Sequence, residues 1–474
     1  MKLSVLGGGG VRMPAFVRSV LAGRGCAFDE ICLFEPDELR RATTARLARE
    51  VAIVLGYPDV VTVTADAAEA FTGADYVFSA IRVGGDRGRV VDEQVALRRG
   101  IVGQETTGPG GGAMALRTIP VVLSYCELLS RCSPGAVLIN FTNPAGLITG
   151  AITAQGKVTA VGVCDTPSGT IAELARFAGA EPGQVSAGYS GLNHLGWVTS
   201  FQVDGSELLP GLVSKFAELQ RSSRHFAGFD ADLVRRVGAL PTEYVYYYYD
   251  PRRYIDGVAR AGTSRGQDIL ALNSELITAI GKAFASGDTH AAWTAYSQLL
   301  GVRRDTYMKT DTEGDSGQAA ARESRAARGS VPIEAQEIGG YEGLALRVID
   351  GLSGRQPGTV IVNVRNGDAL PFLEPDDIVE IPCSVSSGGL SPGGVSPGGA
   401  QPELPRSARA LVEAVKEYER GIVMAALTGD AGAAAVAFAQ HPLVPGITAA
   451  RELLADYIDQ HGEHLAYLAP VSRR

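Results

Sequence analysis

Residues Lys2 to Leu6 form a short apolar strand that runs directly into Gly7, Gly8, Gly9 and Gly10, and a helically spaced apolar stretch follows from Pro14 to Leu21. No other feature restricts the fold as much. A glycine turn between a first strand and a helix brings backbone N–H groups to a pyrophosphate at the helix N-terminus, and an acid ending the second strand can hold a ribose diol. Gly7, Gly8, Gly9 and Gly10 fit the first role, and Glu35, which closes Ile31-Cys32-Leu33-Phe34, fits the second. The glycine pattern is degenerate, because Arg12 stands where GxGxxG counted from Gly7 has its third glycine. A carboxylate at that strand end repels a 2′-phosphate, so the cofactor expected is NAD rather than NADP. The plainer reading, a sharp turn in an unliganded α/β domain, leaves four consecutive glycines without a purpose.

Further apolar strands are expected at Val60–Val63, Tyr76–Ile81, Ala136–Ile139 and Val158–Val163, with helical patterns at Glu38–Leu55 and Ala115–Leu129 between them. Strands alternating with helices imply an α/β fold with a Rossmann-like, doubly wound parallel sheet, assigned to residues 1–175. Beyond that point the alternation gives way to helices such as Gly211–Glu218 and Gln267–Ala285 and scattered strands at Leu344–Val348 and Val360–Val364. Residues 176–474 are therefore expected to form a C-terminal α+β catalytic and oligomerisation lobe. The Ser, Gly and Pro content of 384–405 predicts a mobile loop, and apolar periodicity resumes at Ala408–Ala426 and Gly446–Tyr457.

A chain of 474 residues exceeds the usual single compact domain, and 45% hydrophobic with 20% charged residues is ordinary for a globular protein. A formal charge of −9 offers no general attraction for nucleic acid or an anionic membrane. No apolar run in the sequence reads as a bilayer-crossing segment of about 20 residues, and MKLSVLGGGG breaks into glycines too early for a signal peptide. The expected location is the cytoplasm. Cys26, Cys32, Cys126, Cys132, Cys164 and Cys383 then read as reduced thiols.

Cys164 follows the apolar run Val161-Gly162-Val163 and precedes Asp165, while His194 lies in Gly191-Leu192-Asn193-His194-Leu195-Gly196-Trp197. Open sheets hold ligands at strand carboxyl ends, and a thiolate with an imidazole can hold a divalent ion completed by water or substrate oxygens. By spacing alone, a buried structural cysteine and a hydrogen-bonded histidine are the commoner outcome. Arg89, Asp92 and Glu93, then Gln104-Glu105-Thr106, then Asn140 and Asn143-Pro144 collect at the same end of the expected sheet, where donors suit hydroxyl or phosphate oxygens. The run Tyr244-Val245-Tyr246-Tyr247-Tyr248-Tyr249 reads first as a packed aromatic face, although a tyrosine close to a metal can act as a base.

The order of motifs resembles glycoside hydrolase family 4, the NAD-dependent glycosidases, over nearly the whole chain. The stretches that carry it are LSVLGGGG, DEQVALRRGIVGQETTGPGG, INFTNPAG, VGVCDTPSG, GLNHLGW, PTEYVYYYYD, GTSRGQ, NGDALPFLEPDDIVEIP and HPLV. The resemblance implies an exception to two-carboxylate glycoside hydrolysis: oxidation of the sugar C3 hydroxyl by NAD, removal of the C2 proton, elimination at C1, water addition and return of hydride. It also implies that Cys164 and His194 bind the divalent metal, Mn²⁺ by preference, and that Tyr244 is the C2 base. Asp165 matches the general acid of some members, and Arg89, Asn143 and Arg265 match substrate contacts. The glycine turn departs from the common phosphosugar pattern, so either Arg12 supplies the phosphate contact by another route or the phosphate requirement is lost.

The GGGG-x-R-x-P opening is similar to the 6-phospho-β-glucosidase branch, whereas the Cys-Asp pair is more like members that cleave α-linkages. A 6-phospho-β-glucoside is the expected substrate, with a 6-phospho-α-glucoside, another α-glycoside or a galactoside as alternatives. A hydroxy-acid dehydrogenase and a silent NAD or sugar sensor are the competing readings, and a homodimer or homotetramer is the expected assembly.

Overall fold

Six parallel strands organise the first third of the chain in the computed structural model, which describes residues 1–22, 27–312, 324, 331–334, 340–393 and 403–468. They are β1 (Lys2–Leu6), β2 (Glu30–Phe34), β3 (Val61–Thr64), β4 (Tyr76–Ser79), β5 (Val137–Asn140) and β6 (Thr159–Gly162). Their order across the sheet is β3-β2-β1-β4-β5-β6, the doubly wound order of dinucleotide-binding domains. Leu3, Val5, Ile31, Leu33, Val77 and Phe78 are fully buried, as strands covered by helices on both faces require. The order in which strands are added reverses between β1 and β4, so a crevice opens at their carboxyl ends. Gly7 marks it: its φ is +92°, and an added Cβ would lie 2.9 Å from the Ala80 carbonyl oxygen.

The sheet does not stop at β6. The later strands are β7 (Val185–Leu192), β8 (Leu195–Val203), β9 (Ser206–Glu207), β10 (Leu240–Pro241), β11 (Gly358–Arg365), β12 (Ile378–Ser386) and β13 (Gly389–Pro392). β11 joins β6 in antiparallel register through Asn363 and Gly162, and the order continues β11-β12-β7-β8-β10. One sheet therefore carries both the nucleotide-type crossovers and an antiparallel extension.

Several expectations need correction. Leu344–Val348 is part of the helix Gly340–Leu352, in which Leu344, Ala345, Val348 and Ile349 are buried at helical rather than alternating spacing. Gly211–Glu218 is two helices, Leu209–Ser214 and Phe216–Ser222, broken at Lys215. Within the expected loop 384–405, Ser384 to Ser386 and Gly389 to Pro392 pair as a hairpin, and 394–402 lie outside the described residues. The hairpin β7–β8 was not read from the sequence at all.

By length and composition the helix Gly108–Cys132 could cross a membrane, contrary to the sequence reading, but 61% of its apolar window is buried inside the fold. Its Arg117 is bound through both terminal guanidinium nitrogens to Asp92 at 2.6 Å, with neither side chain exposed. His461, near the end of the helix Ile447–His461, meets the same carboxylate at 2.9 Å and so ties the C-terminal helix to the N-terminal half. Cys32, Cys126, Cys132, Cys164 and Cys383 are free thiols, and Cys26 lies outside the described residues.

Candidate active site

The glycine turn and Glu35 come together as the sequence suggested. Glu35 Oε2 accepts the Gly9 N–H at 3.0 Å and Oε1 accepts the Asp37 N–H at 3.1 Å. Burial raises the Glu35 pKa against these two hydrogen bonds. Gly7 and Gly8 N–H both donate to the Phe34 carbonyl and Gly10 N–H to the Gly7 carbonyl, so all four glycine N–H groups bond within the chain. The glycines act here through the space they leave: a Cβ on Gly9 would lie 2.6 Å from Glu35 Cγ. Thr44, in a π-helical turn at Arg41–Ala45, donates to the Gly9 carbonyl at 2.6 Å and holds the turn from the other side. An acid at the second strand end beside a close-packed glycine turn suits an NAD ribose.

His194 sits at the tip of the β7–β8 hairpin, in the two-residue link between Leu192 and Leu195. Short hairpin links need positive φ, and His194 has φ 62°, a conformation a histidine accepts more readily than most side chains. Gly191 is required beside it, because an added Cβ would come within 2.2 Å of the Leu195 carbonyl oxygen. The His194 ring is buried and stacks on Tyr244 with centroids 3.9 Å apart and planes 8° from parallel. Its Nδ1 lies 2.9 Å from Thr106 Oγ1. Burial depresses the His194 pKa to about 4, against the pull of Glu243 and Glu105, so the imidazole is neutral near pH 7. A metal-binding histidine must be neutral.

Cys164 lies two residues beyond β6, also buried. Burial pushes its thiol well up, and the carboxylates of Glu380 and Asp165 push it further. The same thiol acts electrostatically on the Tyr244 hydroxyl, which places Cys164, Tyr244 and His194 in one neighbourhood. Among the described residues no three His, Cys, Asp or Glu side chains gather into a metal cluster. The chain therefore offers a thiol and a neutral imidazole, a donor pair that suits a divalent transition metal whose remaining positions are filled by water or substrate oxygens.

Tyr244 is half-buried at the start of a short helical run whose neighbours Tyr246 and Tyr247 are core residues, so the packing reading holds for those two. The Tyr307 hydroxyl stands 3.3 Å from that of Tyr244 and 3.2 Å from Glu243 Oε1. Glu243 is itself buried, accepts from Thr166 at 3.2 Å and lies 3.5 Å from His225 Nδ1. Burial, then the charge of Glu243, raises the Tyr244 pKa well above its ordinary value.

Arg89, Arg265 and Arg12 converge with a fourth residue the sequence reading missed, Arg303. Arg89 is buried between Glu93 and Glu105, each at 2.9 Å. Arg265 bonds Thr306 Oγ1 at 2.8 Å and the Arg303 carbonyl at 2.9 Å. Burial, then the charges of Arg12, Arg89 and Arg265, pushes the Arg303 guanidinium down to about 9. Glu105 resists burial because Arg82 and Arg89 hold its carboxyl down to about 2. Arg12 also reaches Asp165, the residue preceding the helix Thr166–Ala178, at 4.0 Å. Nothing in the local sequence flags Arg303, which sits in the basic last turn of an ordinary helix.

Asn143 follows β5 and is joined to Pro144 by a cis bond, and its buried Oδ1 has no hydrogen-bond partner among the described residues. The next N–H, of Ala145, donates to Asn193 Oδ1 at 2.9 Å and ties this turn to the His194 hairpin. A buried acceptor left unbonded beside that hairpin suits a ligand hydroxyl.

Comparison with known proteins identifies the family. The model of family 4 glycosyl hydrolases matches residues 2–180, and that of the family 4 glycosyl hydrolase C-terminal domain matches residues 189–444. A 6-phospho-β-glucosidase of Thermotoga maritima is 26% identical over 98% of this chain and 99% of its own. A 6-phospho-α-glucosidase of Leptotrichia buccalis is 25% identical over 96% of each. The crystal structure of the Thermotoga maritima enzyme with NAD and glucose-6-phosphate covers 97% of this chain and 98% of its own, with TM-score 0.75 and 25% identity. A second structure of that enzyme, which holds manganese as well, superposes with TM-score 0.77 at 24% identity over 99% of this chain and 100% of its own.

Proposed function

The chain belongs to family 4 of the glycosyl hydrolases, and from that membership we propose that it hydrolyses 6-phospho-β-glucosides with NAD and a divalent metal, Mn²⁺, as cofactors. The observation that carries the reading is the parallel stack of Tyr244 on His194 beside the Cys164 thiol. It sets a phenol against the imidazole expected to hold the ion, where a sugar C2–H could be presented to both. When bound, NAD supplies hydride transfer at the sugar C3 and the metal ion polarises the neighbouring oxygens, so that the C2 proton becomes acidic.

The chain's own residues supply the rest. Cys164 and His194 would hold the ion, whose positive charge would favour the Cys164 thiolate, the displaced proton passing to solvent. Tyr244 would accept the C2 proton as its phenolate, a form that the charge of a bound cation would favour against burial and Glu243, with the Tyr307 hydroxyl donating to its oxygen. Asn143 Oδ1 accepts a sugar hydroxyl. Arg12, Arg89, Arg265 and Arg303 surround the 6-phosphate, a dianion that offsets their mutual repulsion. Gly7, Gly8, Gly9, Gly10 and Glu35 shape the dinucleotide site.

Relatives of both linkages match the chain end to end, and Asp165 favours the α reading in one respect: it is a carboxylate beside Cys164 with its side chain 37% exposed, placed to protonate a leaving group. Nitrophenyl glucosides and galactosides of both anomers, each with and without 6-phosphate, decide between them in the presence of NAD, Mn²⁺ and a thiol reductant. Turnover of the 6-phospho-β-glucoside that stops on cofactor removal supports the reading; activity that survives both EDTA and NAD removal overturns it. With substrate deuterated at C2, Tyr244→Phe should slow exchange into solvent by about 100-fold or more, the contribution of a positioned base. Light scattering checks the expected homodimer or homotetramer.

A further inference from the structure

We infer that Thr106, oriented by Gln104, fixes the tautomer of His194 so that Nε2 is the nitrogen offered to the divalent cation. The inference rests on the reading of His194 as a metal ligand, and proton accounting carries it further. Gln104 Oε1 accepts the Thr106 N–H at 2.6 Å and the Thr107 N–H at 2.8 Å. Both partners are backbone donors without a lone pair to offer, so the atom they meet is the amide oxygen and not the amide nitrogen. Thr106 Oγ1 stands 2.9 Å from that same oxygen and 2.9 Å from His194 Nδ1.

A hydroxyl has one proton, and the Gln104 oxygen has none, so Thr106 donates to Gln104. The proton between Thr106 and the histidine then comes from Nδ1. A neutral imidazole carries one N–H, which leaves Nε2 with its lone pair free for an ion. The opposite tautomer would point two lone pairs at each other across 2.9 Å beside the buried His194 ring.

The device is held at both ends. Thr106 lies two residues before the helix Gly108–Cys132, whose first carbonyl, that of Gly108, accepts from the Tyr418 hydroxyl at 2.8 Å. His194 is fixed by its hairpin and by the Tyr244 stack. Between the two working residues, Glu105 turns the other way to Arg82 and Arg89, so one tripeptide serves the metal side and the guanidinium side of the site. Thr106 is a positioning residue that acts through His194.

The test uses full-length enzyme stripped of metal and saturated with NAD, with Mn²⁺ binding followed by electron paramagnetic resonance of the free ion. Thr106→Val, which keeps the shape and removes the acceptor, should weaken Mn²⁺ binding by about 10- to 100-fold, the usual effect of losing such a partner. Thr106→Ser should restore wild-type affinity, and NAD affinity should stay unchanged in both. His194→Gln is the control for the underlying reading. If it leaves Mn²⁺ binding intact, His194 is not a ligand; if it weakens binding while Thr106→Val does not, the role given to Thr106 alone is wrong. Should Thr106→Val fail to fold, ¹⁵N-histidine spectra of the wild-type metal-free enzyme decide instead. The resonance pair absent from His194→Gln should show a protonated Nδ1 and a bare Nε2, and the reverse tautomer overturns the inference.

Discussion

Arg303 shows what a single residue adds to the site. Burial, and then the charges of Arg12, Arg89 and Arg265, oppose the charge of Arg303. Replacing it by leucine removes repulsion from the ligand-free protein, so Arg303→Leu should leave the melting temperature unchanged or raise it. The same change should lower kcat/KM for a 6-phosphoglucoside roughly 10- to 100-fold, the worth of a hydrogen bond to a charged group, with little effect on the unphosphorylated glucoside. Equal loss on both substrates would remove Arg303 from phosphate recognition. Cys164 and His194 were within reach of the sequence because each lies in a stretch whose order along the chain is informative. Arg303, Tyr307, His225 and Glu380 were not assigned, because their relation to those stretches exists only after the helices and the antiparallel strands have packed.

Among the elements, the helices at the C-terminal end show how one buried group can hold a joint. His441, just after the helix Ala431–Gln440, accepts the Leu443 N–H on Nδ1 at 3.1 Å and meets the Tyr248 hydroxyl at 3.3 Å through Nε2. Burial depresses its pKa from 6.5 to about 3. The unfolded chain takes up a proton below pH 6.5 that the folded chain refuses, so this group's contribution is fully present above pH 6.5 and is lost as pH falls toward 3. Its share of the slope is about 1.4 kcal/mol per pH unit. Denaturant titrations of His441→Gln, which keeps an acceptor but does not titrate, should show the stability-versus-pH curve flattened by that amount between pH 6 and 4. Unaltered steepness would mean that other groups drive the acid transition.

The joint between the C-terminal helix and the N-terminal half belongs to the same scale. Arg117→Met leaves Asp92 charged and buried, and should cost about 3 to 5 kcal/mol; pairing it with Asp92→Leu should recover much of that loss, since a well-packed apolar pair often replaces a buried ion pair without penalty. Urea midpoints of the single and double variants measure both effects. No recovery in the double variant would mean that His461 and Tyr457, which also bond Asp92, depend on its carboxylate or backbone position.

At the scale of the whole molecule, the site draws its parts from distant places on one sheet and the helices around it: Cys164 after β6, His194 between β7 and β8, and Arg303 from a helix that packs against the glycine-turn region. A ligand that bridges such parts stabilises all of them together. NAD at about 100 times its dissociation constant should add about 2.7 kcal/mol and raise the melting temperature. A calorimetric scan with no rise at saturating NAD counts against the dinucleotide site.

The sequence by itself determined the parallel half of the sheet, because a strand running into four glycines and then a helix admits few folds, and period alone separates covered strands from amphipathic helices. It also supplied the candidate side chains, since cysteine, histidine and tyrosine chemistry is a property of the residue. The tertiary structure decided which nitrogen of His194 meets Thr106, how far burial shifts each buried group, and which arginine charges oppose one another. Those depend on distances of about 3 Å between residues nearly 90 or more positions apart, such as Thr106 and His194, and no local pattern encodes them.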